Sequence, residues 1–224
     1  MNCTLIADTH WLIKDMIDRK RIEQYLTGGE CIIHAGDVSG RGTIPEVKMF
    51  LDWFSRLNYK HKILIAGNHD FLFETRPDMA AQLLSEYPEI IYLNDSSVTI
   101  DGINFWGSPI TPWFHNWAFN RTADEINVHW EMIPENTDVL ITHGPPRGIH
   151  DWTVFDKTNV GCPMLLQRVM DIKPQLHVFG HIHEGNGETV IGDTTFINAS
   201  MVDHRYEIYD RKPFVFEVHP KVVQ

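Results

Sequence analysis

Short apolar runs recur along the chain, and in its first half they alternate with segments whose apolar residues follow a helical period. The runs predict strands and the periodic segments predict amphipathic helices. Strands are expected at Cys3–Ala7, Cys31–Ala35, Lys62–Ala66, Ile90–Leu93, Ser97–Ile100, Ile103–Trp106, Asp138–Thr142 and Leu176–Phe179. Four more follow at Glu188–Ile191, Thr194–Ile197, Tyr206–Tyr209 and Pro213–Val218. Thr43 with Glu46 three residues on, and Pro45 between them, reads as a capping box opening a helix to about Leu57. Thr122 with Glu125 repeats the device before a helix to about Trp130, and further helices are expected over Leu12–Tyr25, Pro77–Glu86 and Gly161–Asp171. The early β-α-β order and the strand-rich tail predict an α/β domain with more than one sheet.

Neither repeats nor a Gly/Ser linker divides the 224 residues, so a single domain over 1–224 is expected. The three cysteines, Cys3, Cys31 and Cys162, are odd in number and lack metal-site spacing, which points to packed thiols in a reducing compartment. With no stretch resembling a signal peptide or a membrane span, the expectation is a cytoplasmic protein without a membrane partner. A net charge of −11 argues against stable nucleic-acid binding. The 13 histidines turn attention to metal chemistry, provided they fall in the right places.

Five of the predicted strands end in polar residues that a core has no use for. They deliver Asp8-Thr9-His10, Gly36-Asp37, Gly67-Asn68-His69-Asp70, Thr142-His143-Gly144-Pro145-Pro146 and Gly180-His181-Ile182-His183. Ligands of open α/β sheets collect just beyond the carboxyl ends of the strands, so these loops can converge. On extended backbone His181 and His183 would point the same way. Carboxylate, imidazole and amide oxygen together suit Mn, Fe or Zn, and no cysteine stands at any of these positions. The seven candidate ligands are too many for one tetrahedral ion and fit two, with one carboxylate shared. Ordinary residue usage would supply Gly-Asn-His-Asp in roughly one chain of this length in a thousand.

The ordered series D-x-H, G-D, G-N-H-D, T-H-G-P-P and G-H-x-H, from Asp8 to His183, resembles the calcineurin-like metallophosphoesterases. The segments GSPITPWFHNWAFN, DVLITHGPPRG, VGCPMLLQRV, LHVFGHIHEGNG and FINAS further resemble the small metallophosphoesterase-domain-containing proteins of brain type, which are class III-like phosphodiesterases. The resemblance implies a four-layer α/β/β/α sandwich with a two-metal site. It assigns Asp8, His10 and His183 to one metal, Asn68, His143 and His181 to the other, and Asp37 to the bridge between them. It also implies hydrolysis by a metal-activated water, with His69 as general acid or stabiliser of the leaving oxygen.

One departure concerns His69. In many phosphoprotein phosphatases of the superfamily the loop reads G-D-x-x-D-R-G and its second aspartate orients the catalytic histidine; this chain has Gly40 there, in GDVSGRG. Arg41 is a candidate for a phosphate oxygen. In the aromatic segment Pro112–Phe119, Trp113 and Phe114 are candidates for a wall that stacks on a base, while Trp117 and Phe119 read as core. His34 reads as structural, and His115 and His150 stay open. The expected function is hydrolysis of cyclic or linear nucleotide phosphodiesters, a small-molecule substrate class. The alternatives are a phosphomonoesterase or protein phosphatase, and a weakly active metal-binding scaffold.

Overall fold

The computed structural model describes residues 1–10, 15–208 and 211–220. The described chain begins β1 (Asn2–Ile6), α1 (Met16–Glu23), β2 (Gly29–Ala35), α2 (Ile44–Ser55), β3 (Tyr59–Ile65), α3 (Phe71–Thr75), α4 (Pro77–Leu84), β4 (Ile90–Tyr92), β5 (Ser96–Ile100) and β6 (Ile103–Ser108). It continues through the short strands β7 (Thr111–Pro112) and β8 (Asn120–Arg121), α5 (Ala123–Glu131), β9 (Val139–Thr142), and the hairpin strands β10 (Trp152–Thr153) and β11 (Thr158–Asn159). α6 (Pro163–Ile172), β12 (Leu176–Phe179), a 3₁₀ turn at His183–Gly185, β13 (Gly187–Ile191), β14 (Thr194–Asn198) and β15 (Phe214–Glu217) complete it.

A five-stranded sheet runs β15-β1-β2-β3-β4 and a six-stranded one runs β13-β14-β12-β9-β6-β5. Within the first, β1 to β4 are mutually parallel, and in the second β6, β9, β12 and β14 are parallel; antiparallel strands form one edge of the first sheet (β15) and both edges of the second (β13 and β5). The sheets pack face to face: Leu5, Ile33 and Ile65 of one meet Phe105, Ile141 and Val178 of the other in a buried cluster. The alternate residues, such as Ile6, Ile32 and Leu64, or Leu140 and Phe196, pack with Phe50 and Phe54 of α2 or Leu165 and Val169 of α6. Strands covered on both faces read as continuous apolar runs, and the result is the four-layer α/β/β/α sandwich.

Both capping boxes form. The Thr43 hydroxyl accepts from the Glu46 N–H while the Glu46 carboxylate accepts from Thr43; at α5 the Glu125 carboxylate likewise accepts from the Thr122 N–H and hydroxyl at 3.1 and 2.8 Å, and the Glu125 N–H donates to the Thr122 carbonyl. α1 is capped by Asp15, whose carboxylate accepts from Ile17 and Asp18; the expected residues Leu12 to Lys14 lie outside the described set. The expected strand Tyr206–Tyr209 is not one. Tyr206 sits in a turn at φ 61°, its N–H donating to the Asp203 carbonyl, and Tyr209 is outside the described residues. The parallel strands of both sheets end at one edge, where the chain after β1 joins the chain after β14. There the Ala7 N–H donates to the Ala199 carbonyl at 2.9 Å and the Met201 N–H to the Ala7 carbonyl at 2.9 Å. Two sheets that meet at their carboxyl edges bring five loops to one place.

Candidate metal centre and active-site cleft

Three sets of side chains at this edge hold their ligand atoms within 4.8 Å of one another: Asp8, His10 and His183; Asp37, His143 and His181; and His10, Asp37 and His69. Asn68 joins the second, its Oδ1 lying 2.9 Å from His143 Nε2. All seven candidate ligands and His69 are thus brought together from five loops. Asp37 lies between the groups, its Oδ2 3.3 Å from His143 Nε2 and 3.9 Å from His10 Nε2.

The backbone is bent to make this possible. Asp8, His10, Asp37 and His181 all have left-handed backbone, with φ of 54°, 42°, 57° and 67°. Such conformations are costly for residues other than glycine and persist where the surroundings enforce them. At His181 the enforcing contact is the Asp8 carboxylate, which accepts the His181 N–H at 3.0 and 3.1 Å. The extended backbone expected for His181 and His183 is therefore absent, and the two rings part: His181 packs against His143 at 5.0 Å and His183 against His10 at 5.2 Å. At Gly67 a Cβ would come within 2.4 Å of Asp37 Oδ1, and at Gly180 within 2.3 Å of Asp8 Oδ2, so both sites require glycine. Beneath, the buried Asp70 carboxylate accepts from the N–H groups of Val38, Ser39 and Gly67 and from the Ser39 hydroxyl, tying the β2 loop to the β3 loop.

The donor set fits a pair of cations. Nδ1 of His10, His143 and His183 faces the carbonyls of Ser39, Ala35 and Asp203 at 3.3, 2.9 and 3.1 Å. A carbonyl only accepts, so each Nδ1 carries a hydrogen and each Nε2 points inward, where the neutral ring offers a lone pair. Two such nitrogens, of His10 and His183, stand 3.3 Å apart, and His143 Nε2 faces the Asn68 oxygen. Between neutral rings, such facing acceptors are satisfied by a positive centre, whether a metal ion or a proton on one nitrogen. Burial holds His10 well below its ordinary pKa and pushes His181 down to about 3, which keeps both rings neutral and able to coordinate. For His143 burial, the largest single influence, acts in the same direction, but the charge and hydrogen bond of Asp37, the Asp8 carboxylate and the Ala35 carbonyl together overcome it and raise the ring to about 9. His34 and His177, one layer below, are buried and read as structural: their Nε2 atoms pair with the Thr9 and Thr142 hydroxyls at 2.8 Å each.

His69, at the cleft floor, has its N–H on Asp37 Oδ1 at 2.8 Å and its Nδ1 on the Gly40 carbonyl at 2.8 Å. Position 40, which offers no side chain, orients the ring through its backbone instead.

Above the ligands opens a cleft of about 800 Å³. Trp113 and Phe114 line one wall and are 45% and 47% exposed, whereas Phe119 is core. Trp117, expected in the core, is half-buried and lines the cleft beside His69. Arg41 is exposed and is not among the lining residues, and Arg147 is. The cleft is also lined by the β10–β11 hairpin with Phe155, 76% exposed, and by Tyr206, whose ring lies 5.0 Å from His10 and 4.9 Å from His183. The hairpin went unread in the sequence, since two-residue strands leave no periodicity, and the place of Arg147 and Tyr206 in the cleft went unread because one follows a loop motif and the other read as the start of a strand. Glu184, after the last ligand, accepts the Val154 N–H at 2.9 Å and ties the hairpin to the His183 turn.

A four-layer sandwich whose strand ends converge on carboxylates, imidazoles and an amide frames a candidate metal centre. Residues 1–185 match the model of the Calcineurin-like phosphoesterase family, and the chain belongs to that family. It is 41% identical over 201 residues to Metallophosphoesterase domain-containing protein 1 of Homo sapiens, covering 80% of this chain and 62% of that protein. The chain thus spans about three fifths of that relative's length. A more distant relative, a 3′,5′-cyclic-nucleotide phosphodiesterase of Nostoc, is 23% identical over 168 residues, 74% of this chain and 60% of its own. Among solved structures, a phosphopantetheinyl hydrolase from Mycobacterium tuberculosis shares the fold, with a TM-score of 0.65, 16% identity and coverage of 92% of this chain and 90% of that one. Among the described residues no helix is long and apolar enough to cross a membrane.

Proposed function

We propose that the protein is a metal-dependent phosphodiesterase acting on nucleotide-type phosphodiesters. In this reading Asp8, His10 and His183 hold one cation and Asn68, His143 and His181 the other, with Asp37 shared. When bound, the cations supply charge that polarises the phosphoryl oxygens and acidifies water. The observation that carries the reading is the juxtaposition, in one cleft, of this ligand floor, His69, and the exposed rings of Trp113 and Phe114. The name of the Nostoc relative points to the same substrate class.

His69 acts as the general acid. Because Nδ1 holds its hydrogen on the Gly40 carbonyl, the proton given to the leaving oxygen resides on Nε2. The rings of Trp113 and Phe114 orient a base by stacking, at about 1–3 kcal/mol per stacked base. The phosphate-contacting role expected of Arg41 passes to Arg147, which lines the cleft.

The test compares initial rates on bis-p-nitrophenyl phosphate and p-nitrophenyl phosphate, using manganese-loaded protein of measured metal content and Asp37→Asn as the blank. Faster turnover of the diester, abolished in the blank, is the expected result; a preference for the monoester overturns the diesterase reading. His69→Asn is expected to keep both metals and lower turnover of the diester by about 10²–10⁴.

A further inference from the structure

The Gly40 carbonyl fixes one atom of the His69 ring and no more. A single in-plane hydrogen bond at Nδ1 leaves the imidazole free to rock about that contact, and rocking sweeps Nε2 across the floor. Three neighbouring rings limit the motion, the most distant being Tyr206 at 6.4 Å. The His10 ring meets His69 edge-on at 4.7 Å and 79°. Trp117 covers a face, with centroids 4.3 Å apart and planes inclined by 30°. An indole this close to an imidazole, inclined by only 30°, restricts tilting, which the hydrogen bond does not.

Trp117 is itself held by the segment it covers. The next residue, Ala118, donates its N–H to the Asn68 carbonyl at 3.2 Å, one residue before His69. Glu74, in α3, accepts the Phe119 N–H at 2.7 Å through one oxygen and pairs with Arg121 at 2.8 Å through the other. Phe71 flanks the indole at 5.8 Å. The aromatic loop thus grips the chain on both sides of His69, which fixes the indole's place relative to the imidazole.

We propose that Trp117 is the positioning residue of the general acid, aiming His69 Nε2 at the leaving oxygen where residue 40 offers only a backbone carbonyl. The role rests on the reading of His69 as general acid, and proton transfer in such a step depends steeply on alignment.

The test is a cycle of Trp117→Leu and His69→Asn, each assayed on two diesters, one with p-nitrophenol and one with a poorer, alkoxide-like leaving group, with metal content measured throughout. Trp117→Leu is expected to lower kcat about tenfold on the poor leaving group, with KM and metal content little changed, and to cost far less on the p-nitrophenyl diester, which needs little protonation. In the His69→Asn background it should add less than about twofold, because residues that act through one group are not additive. Trp117→Phe, which keeps a ring on the face, should retain the wild-type dependence on leaving group. Equal losses on both leaving groups, a loss confined to KM, an undiminished effect in the His69→Asn background, or Trp117→Phe as impaired as Trp117→Leu would each overturn the positioning role. If His69→Asn itself leaves the poor substrate's kcat unchanged, the acid reading fails first and the positioning role falls with it.

Discussion

The floor of the cleft and its walls differ in almost every physical respect. Asp8, His10, Asp37 and His143 are each at most 2% exposed, stand at the ends of core strands, and are backed by further buried polar pairs. Trp113, Phe114 and Phe155 are 45–76% exposed and are carried by loops whose strands are two residues long. On the floor a side chain is placed by the backbone beneath it, down to left-handed residues and glycines that tolerate no Cβ. In the walls it is placed by a few hydrogen bonds, such as Val154 to Glu184. Rigid elements hold reacting groups more accurately than loops do, whereas loops can vary without disturbing the fold. The difference supports the proposed division, with catalytic chemistry on the floor and substrate selection in the walls.

The largest expected effect comes from spoiling the floor at one atom. Gly67→Ala puts a methyl group within 2.4 Å of Asp37 Oδ1, 2.5 Å of the Asp37 nitrogen and 2.6 Å of His143 Cε1, none of which can retreat in a packed interior. A destabilisation of about 3 kcal/mol is expected from such overpacking. With it should go most of the metal content and activity; calorimetry with metal analysis would show it. An unperturbed Tm with full metal occupancy would mean that the floor is softer than its geometry implies.

A smaller effect concerns pH. Burial pushes His34 and His177 down to about 3, and Nδ1 of each has no hydrogen-bond partner. Below the ordinary histidine range the unfolded chain binds protons that the folded chain refuses. The stabilisation is therefore complete above about pH 6.5 and falls as pH drops towards 3, by up to about 1.4 kcal/mol per pH unit for each ring. Urea unfolding of EDTA-treated protein from pH 7 to 4 should show this slope, and His177→Gln should remove one ring's share. An unchanged slope in the variant would show that His177 takes up its proton without unfolding.

The smallest effect is expected in the wall. Phe114→Ala should raise KM for a nucleotide diester by about tenfold, the equivalent of one lost stacking contact, and leave the KM of bis-p-nitrophenyl phosphate within about twofold. Equal effects on both substrates would show that Phe114 shapes the cleft without stacking on a base.

Much of the floor was legible beforehand because its signals are local. A strand buried on both faces shows as an apolar run, a strand end shows as the glycine or polar residue that stops it, and D-x-H or G-N-H-D then lies where the chain must turn. The capping boxes at Thr43 and Thr122 were legible for the same reason, since all their atoms lie within four residues. The walls were not. The hairpin Trp152–Asn159 pairs only two residues on each side. Trp117 has a core composition and neighbourhood, yet it faces the cleft because of contacts to Asn68 and Glu74, more than forty residues away.

The sequence by itself determined the layered α/β class, the strand ends and the identity of the candidate ligands, because hydrophobic period and turn chemistry act over a few residues. Only the tertiary structure decided which ligands share a site, that the Gly40 carbonyl orients His69, and that Arg147 rather than Arg41 reaches the cleft. Those outcomes depend on how two sheets register at their common edge, through contacts such as Ala7 to Ala199 that no local pattern encodes.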